Sequence, residues 1–345
     1  MAPKHHPEEN ERANIPKKRR RIAGFDLDST IIKSASGNKF GKDASDWKWW
    51  DDVVPPTLKN LYAEGYLLVV FSNQGAVSLK GDPKTAKRDQ KNLATFKGKL
   101  AALLIQLNLP ISVYAATRRD KYRKPRTGMW DEMLEDYDLD NASLDLEGSF
   151  FVGDAAGRPA VDGGRDFAAN VGIQFHTPEE LFLHEPPKPF TRDFDPAMYL
   201  NKPRLPPVAS NTTVFSKERL IDVVMFCGGP GSDNTNADPD TRAVWVQMAR
   251  KHDVPIRCIY FNAPTRLCLH NDAIRALNCG TLNPEKRAML PTVAFTSFSA
   301  RFREPTLKEG FADITRIDFH DHSNFEVLQF EGTDEERAIW SKYWI

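Results

Sequence analysis

The sequence predicts an α/β protein: a Rossmann-like parallel sheet with helices on both faces, followed by a second, smaller α/β domain. Three observations carry this. From Ile22 onward, apolar strand patterns alternate with amphipathic helix patterns, which is the signature of a parallel sheet. Tyr66-Leu67-Leu68-Val69-Val70-Phe71-Ser72 is almost continuously apolar, as a strand covered on both faces must be. Residues 184–209 then carry Pro186, Pro187, Pro189, Pro196, Pro203, Pro206 and Pro207, a density that excludes helix and central strand.

The elements follow in order. Arg21–Asp26 is a short strand, and Thr57–Gly65 a helix ending at glycine. After the strand at 66–72, Leu93–Leu107 has amphipathic helical spacing and Ile111–Ala115 is the next strand. Gly128–Asp138 is a helix and Ser149–Gly153 another buried strand. Beyond the proline-rich stretch, Asp222–Phe226 is a strand, Asp240–His252 a helix and Ile256–Phe261 a strand. The expected organisation is a disordered basic tail (1–21), a first domain (22–185), a linker (186–214) and a second domain (215–345).

Composition narrows the class. The chain has 345 residues with 47 basic and 47 acidic side chains, so its overall field favours no partner. No apolar run approaches the roughly 20 residues of a membrane span, and the start lacks a signal-type stretch. An intracellular protein with no membrane partner is expected. Cys227, Cys258, Cys268 and Cys279 form no CxxC pair, which points to reduced, buried thiols. Charge is unevenly placed: residues 17–21 read Lys-Lys-Arg-Arg-Arg, a pattern of nuclear import signals or nucleic-acid arms. Nuclear localisation is expected.

In open parallel sheets ligands sit at the carboxyl ends of the strands. There the sequence puts Asp26 and Asp28, then Ser72 and Asn73, then Gly153 and Asp154, with Lys124 on an intervening basic loop. This set suits phosphoryl transfer. A carboxylate can attack phosphorus, giving an aspartyl-phosphate, and Asp26 is the predicted nucleophile. Asp28 is placed to protonate the leaving oxygen and then activate water. Magnesium takes oxygen ligands, and Asp26, Asp28 and Asp154 are the candidates to hold Mg2+. Lys124 offsets anionic repulsion, while Ser72 and Asn73 would bind phosphoryl oxygens. Thr30 is open between a substrate contact and a helix cap.

These motifs resemble the haloacid dehalogenase superfamily of phosphatases: Phe-Asp-Leu-Asp-Ser-Thr (25–30), Phe-Ser-Asn-Gln (71–74), Tyr-Arg-Lys-Pro (122–125) and Val-Gly-Asp-Ala-Ala-Gly-Arg (152–158). Tyr122–Trp130 and Thr177–Phe182 resemble one branch, the 3′-phosphatase domain of polynucleotide kinase/phosphatases, over residues 20 to 185. The resemblance implies a 3′-phosphate at a DNA strand break as substrate, a role in DNA repair, and other strand-break repair proteins as partners. The stretch Pro159–Phe167 is shorter than in that branch, and Asp162 and Asp166 are left outside the metal set.

The residues favour a polymer substrate independently. The interval from Thr30 to Ser72 is too short for a separate lid domain, so the site should be uncapped. Basic clusters flank it. Lys80, Lys84, Lys87, Arg88, Lys91, Lys97 and Lys99 form one; Arg118, Arg119, Lys121, Arg123, Lys124 and Arg126 form the other. Arg123 and Arg126 are candidate substrate ligands. Trp47, Trp49 and Trp50 suit core packing better than base stacking.

In the same two-part family the second domain is a P-loop 5′-kinase. Asp233–Asn236, Arg257–Phe261 and Phe302–Phe311 resemble it. The phosphate-binding loop departs from GxxxxGK[ST]: Phe226-Cys227-Gly228-Gly229-Pro230-Gly231-Ser232 runs into Asp233-Asn234-Thr235-Asn236 with no lysine after Gly231. A truncated P-loop-type domain without useful ATP-dependent kinase activity is expected.

Overall fold

The computed structural model describes residues 19–38, 41–77, 84–140, 142–154, 163–192, 194–199, 222–230, 235–278, 280–318 and 333–345. Most of the basic tail, Lys80, the stretch 155–162, much of the proline-rich linker, the loop 231–234 and Cys279 lie outside them. The chain divides into two compact units, the first ending at Thr191 and the second beginning at Arg192.

The first unit is built on five strands: β1 (Arg21–Phe25), β4 (Tyr66–Asn73), β5 (Ser112–Ala116), β6 (Phe150–Val152) and β7 (Gln174–His176). They form one parallel sheet in the order β5-β4-β1-β6-β7. Between β1 and β4 come a two-stranded antiparallel hairpin, β2 (Ile32–Lys33) with β3 (Lys48–Trp49), and helix α1 (Val54–Ala63). Helices α2 (Ala86–Leu107), α3 (Gly128–Asp136), α4 (Gly163–Val171) and α5 (Pro178–Phe182) complete the unit.

Strand alternation sends successive side chains to opposite faces, and each face has its own core. Ala23, Phe25, Leu68, Val70 and Phe150 pack with Val54 and Leu58 of α1 and Leu103 and Leu107 of α2. Ile22, Val69, Phe71 and Phe151 pack with Met129, Trp130 and Met133 of α3 and Phe167 of α4. This is why residues 66–71 are apolar at every position. Trp47, Trp49 and Trp50 are partly buried against the first of these cores.

Several boundaries differ from expectation. Helix α1 starts at Val54, before Pro55 and Pro56, because proline is tolerated in a helix's first turn, where its missing N–H has no partner to lose. Helix α2 starts at Ala86 rather than Leu93, since its first two turns are polar and show no apolar period. The hairpin, α4, β7 and α5 were not predicted; the strands among them are two or three residues long, too short for a periodic pattern.

The second unit has a three-stranded parallel sheet in the order β10-β9-β8, from β8 (Val223–Gly228), β9 (Ile256–Asn262) and β10 (Ile314–Asp318). Helices α6 (Pro239–Lys251), α7 (Thr265–Leu277), α8 (Thr292–Arg301) and α9 (Asp334–Trp340) accompany it. Cys227, Cys258 and Cys268 are buried free thiols. Fully buried Arg242 makes a two-pronged ion pair with Glu309, at 2.7 and 2.9 Å, and donates to the carbonyls of Asn236 and Arg303.

His270 on α7 is fully buried and donates from Nε2 to the Trp340 carbonyl of α9 at 2.9 Å. Its Nδ1 is buried without a partner among the described residues. Burial pushes its pKa from 6.5 down to about 4, with the Trp340 contact acting weakly the other way. The unfolded chain therefore binds the proton more readily. Stability from this group is fully present above pH 6.5 and is lost as pH falls toward 4, by on the order of 3 kcal/mol. Urea unfolding of the second unit should show that loss between pH 6.5 and 4, and His270→Gln should flatten it.

Candidate active site

The site starts at the end of the central strand. In-register pairing of Phe25 with Val152 and Val70 fixes where β1 stops. The next residue, Asp26, hydrogen-bonds through its N–H to the Val152 carbonyl at 2.8 Å. Its Oδ1 accepts from the Leu27 N–H at 2.8 Å, which turns the carboxylate toward the strand ends. Its Oδ2 lies 2.9 Å from Lys124 Nζ. Lys124 is 2 % exposed and Asp26 21 %, so the pair is shielded on one side and open to a ligand on the other. The lysine makes no well-aligned hydrogen bond with a described residue, so the contact is an ion pair with its donors poorly used. The ammonium also stands 4.8 Å from the Phe151 ring centre.

The loop that carries Lys124 is closed on itself. Gly128 N–H donates to the Lys121 carbonyl at 3.1 Å, and a Cβ at Gly128 would lie 2.6 Å from that same oxygen. Only glycine allows the approach. From β4, Asn73 grips the Lys124 backbone with both ends of its amide: Oδ1 accepts from Lys124 N–H at 2.9 Å, and Nδ2 donates to the Lys124 carbonyl at 3.1 Å. Asn170 of α4 donates to the Pro125 carbonyl at 2.9 Å.

The expectation for Asn73 changes here: its amide is committed to the Lys124 backbone, a positioning role. Period-two alternation explains why: Ser72 and Gln74 share one side of the strand end, and Asn73 points to the other. Gln74 closes the Phe-Ser-Asn-Gln motif. Its Nε2 donates to Ser72 Oγ at 2.9 Å and to Asp28 Oδ2 at 2.8 Å, joining two of the expected catalytic groups. Asp28 Oδ1 faces Lys99 Nζ at 3.7 Å.

Thr30 is a second correction. It is fully buried, its hydroxyl without a partner among the described residues. Nor does it cap a helix, since the chain enters the β2–β3 hairpin instead. Ser29 makes that turn with φ of 60°.

Arg123 is half-buried, with its guanidinium near Gly75. Burial, then the Arg119 charge, pull its pKa below the usual guanidinium value, while the Asp26 carboxylate acts the other way. Arg126 donates to the Asp120 carbonyl at 2.9 Å. Burial, then the Arg123 charge, push its pKa down to about 10, so it is a cation at neutral pH. Its Nε is buried without a partner among the described residues.

Asp154 stands two residues past the end of β6, after Gly153. With Ser29, Trp50, Arg165, Thr177 and Lys188 it lines a cleft of about 360 Å³. Its neighbour Gly153 stands beside Asp26: a Cβ there would be 4.0 Å from Asp26 Cβ. Among the described residues no three acidic, histidine or cysteine side chains cluster at metal-binding distances. Of the expected trio Asp26, Asp28 and Asp154, the Asp28 carboxylate is turned to Gln74 and Lys99. Asp26 and Asp154, on adjacent strand ends, fit magnesium, which takes one or two carboxylates and completes its shell with water and phosphate oxygen.

A carboxylate at the end of the central parallel strand, paired with a buried lysine and followed by a second carboxylate, makes this chain a phosphatase of the α/β class. Residues 21–182 match the family model described as polynucleotide kinase 3 phosphatase, and residues 221–305 match an AAA domain. A Schizosaccharomyces pombe protein named bifunctional polynucleotide phosphatase/kinase is 35% identical over 358 residues, covering 90% of this chain and 82% of that protein. An uncharacterized 20.8 kDa protein of Autographa californica nuclear polyhedrosis virus is 39% identical over 177 residues, 48% of this chain and 86% of the viral one. The polynucleotide 3′-phosphatase ZDP of Arabidopsis thaliana is 33% identical over 183 residues, 50% of this chain and 25% of that protein. The chain belongs to the polynucleotide phosphatase/kinase family.

Asn73→Leu removes both hydrogen bonds to the Lys124 backbone. Loosening Lys124 should lower kcat on the order of 10- to 100-fold with little change in KM. A rise in KM at constant kcat would instead make Asn73 a substrate ligand.

Proposed function

We propose that the chain is a polynucleotide 3′-phosphatase that clears 3′-phosphates from DNA strand breaks through an aspartyl-phosphate on Asp26. The observation that carries this is the 2.9 Å ion pair of Lys124 with Asp26 at the end of β1, with Asp28 held two residues away. Family membership and the basic loop at 118–126 support a polynucleotide substrate.

The Asp26 carboxylate attacks phosphorus as the bond to the 3′-oxygen breaks, and Asp28 gives that oxygen its proton. Asp28 then takes a proton from water, which attacks the phosphorus of the acyl phosphate. Inorganic phosphate leaves and the Asp26 carboxylate is restored. Lys124 offsets the charge that two anions bring together, and Ser72 Oγ, oriented by Gln74, donates to a phosphoryl oxygen. Arg123 and Arg126 supply further positive charge on the approach. Magnesium held by Asp26 and Asp154 would neutralise phosphoryl charge. The basic run at 17–21 supports action in the nucleus.

Kinase activity is not part of this reading. A P-loop-type ATP site puts a helix N-terminus against the phosphates. The next described helix after β8 is α6, and its N-terminus is capped by a carboxylate of the chain itself. Asp238 Oδ1 accepts from Thr241 N–H at 2.8 Å, and Asp238 Oδ2 is paired with Arg301 at 3.1 Å.

With magnesium and a nicked duplex bearing a 3′-phosphate, the protein should release inorganic phosphate, and Asp26→Asn should reduce the rate by at least about 10³-fold. Release by both proteins alike would remove Asp26 as nucleophile. Separately, a 5′-hydroxyl oligonucleotide incubated with labelled ATP should gain no label; transfer above background would show a 5′-kinase activity beside the phosphatase.

A further inference from the structure

Helix α2 carries a feature the mechanism above does not use. At 22 residues it is about 33 Å long, against roughly 27 Å for the eight residues of β4. Arg88, Asn92, Thr95 and Lys99 recur at spacings of four, three and four, so they share one face of the helix. Two contacts turn this face to the site. Asn92 Nδ2 donates to the Ala76 carbonyl at 2.8 Å, just beyond Gln74. Lys99 Nζ stands 3.7 Å from Asp28 Oδ1, with the lysine 13 % and the aspartate 46 % exposed.

The position of Lys99 follows from the reaction's geometry. Lys124 sits against Asp26, the attacking group, so it serves the transferred phosphoryl. Asp28 serves the leaving oxygen, and in an in-line displacement that oxygen lies on the opposite side of phosphorus. A cation next to Asp28 therefore neighbours whatever the leaving oxygen is attached to. A hydrogen bond of about 3 Å from Asp28 to that oxygen, extended by the 3.7 Å to Lys99, places the ammonium within about 7 Å of it. At 3.7 Å the lysine–aspartate contact is longer than a hydrogen bond and commits none of the three ammonium donors.

Resting on the 3′-phosphatase reading, we infer that Lys99 binds the first internucleotide phosphodiester of the substrate strand, the one on the 5′ side of the terminal nucleotide. It selects a polynucleotide end over a lone phosphate ester. The face running from Lys99 through Thr95 to Arg88 is the direction in which that strand leaves the site.

The test compares two substrates that differ by one 5′-linked nucleoside and the phosphodiester that joins it: thymidine 3′-phosphate, which lacks that phosphodiester, and the dinucleotide TpTp, which has one. For Lys99→Met, kcat/KM on TpTp should fall at least about tenfold further than on thymidine 3′-phosphate, and its salt dependence on TpTp should weaken. Lys99→Arg keeps the charge and should recover most of the TpTp rate, which guards against a folding defect. Equal losses on both substrates would mean that Lys99 acts only through Asp28 and would overturn the inference, as would no loss on either. Failure of the unaltered protein to hydrolyse either substrate would instead overturn the 3′-phosphatase reading, and this inference with it.

Discussion

An anion must attack an anion, and the rest of the first unit depends on how that repulsion is managed. The Lys124–Asp26 pair answers it with a cation that is almost wholly removed from water. Desolvating a lysine costs several kcal/mol unless a partner and a rigid surround compensate. The fold supplies both. The partner is fixed by the register of β1 between β4 and β6, which puts Asp26 one residue beyond the paired strand. The surround is fixed by Asn73 gripping the Lys124 backbone and by Gly128 letting the loop fold back on Lys121. Each support comes from a different element, so packing of the two faces of the sheet is itself a condition of the chemistry.

A second set of contacts surrounds Asp28. Gln74 couples Ser72 to Asp28, and Lys99 brings α2 to the same carboxylate. In the proposed reaction Lys124 serves the phosphoryl side and Lys99 the nucleoside side. Among the described residues, the interval from Thr30 to Ser72 holds a short hairpin and α1 rather than a lid domain.

Much of this was legible in the sequence, for physical reasons. Strands buried on both faces are apolar at every position, so β1, β4 and β6 could be read, and with them the edge where Asp26, Ser72 and Asp154 stand. What was missed depends on three-dimensional placement. Asn73 looked like a substrate ligand because it adjoins Ser72, although alternation already put it on the other side of the strand. Thr30 was open between a substrate contact and a helix cap, and neither reading anticipates a buried residue leading into a hairpin. Lys99 was one of seven basic residues between 80 and 99, and only the reach of α2 singles it out. The first turns of α1 and α2 were lost to two prolines and to polar composition. In the second unit, the lysine missing after Gly231 was visible at once. The self-supplied carboxylate cap on α6 was not, because it needs the helix start to be known.

The central claim is that phosphorus is transferred to Asp26 before it reaches water. Acyl phosphates are reduced by borohydride to the alcohol, which would convert Asp26 to homoserine. The protein should be quenched with borohydride during turnover of a 3′-phosphorylated oligonucleotide, and its peptides read by mass spectrometry. Homoserine at position 26, absent without substrate, is the predicted result. Reduction at another aspartate, or at none while phosphate is released at full rate, would contradict it.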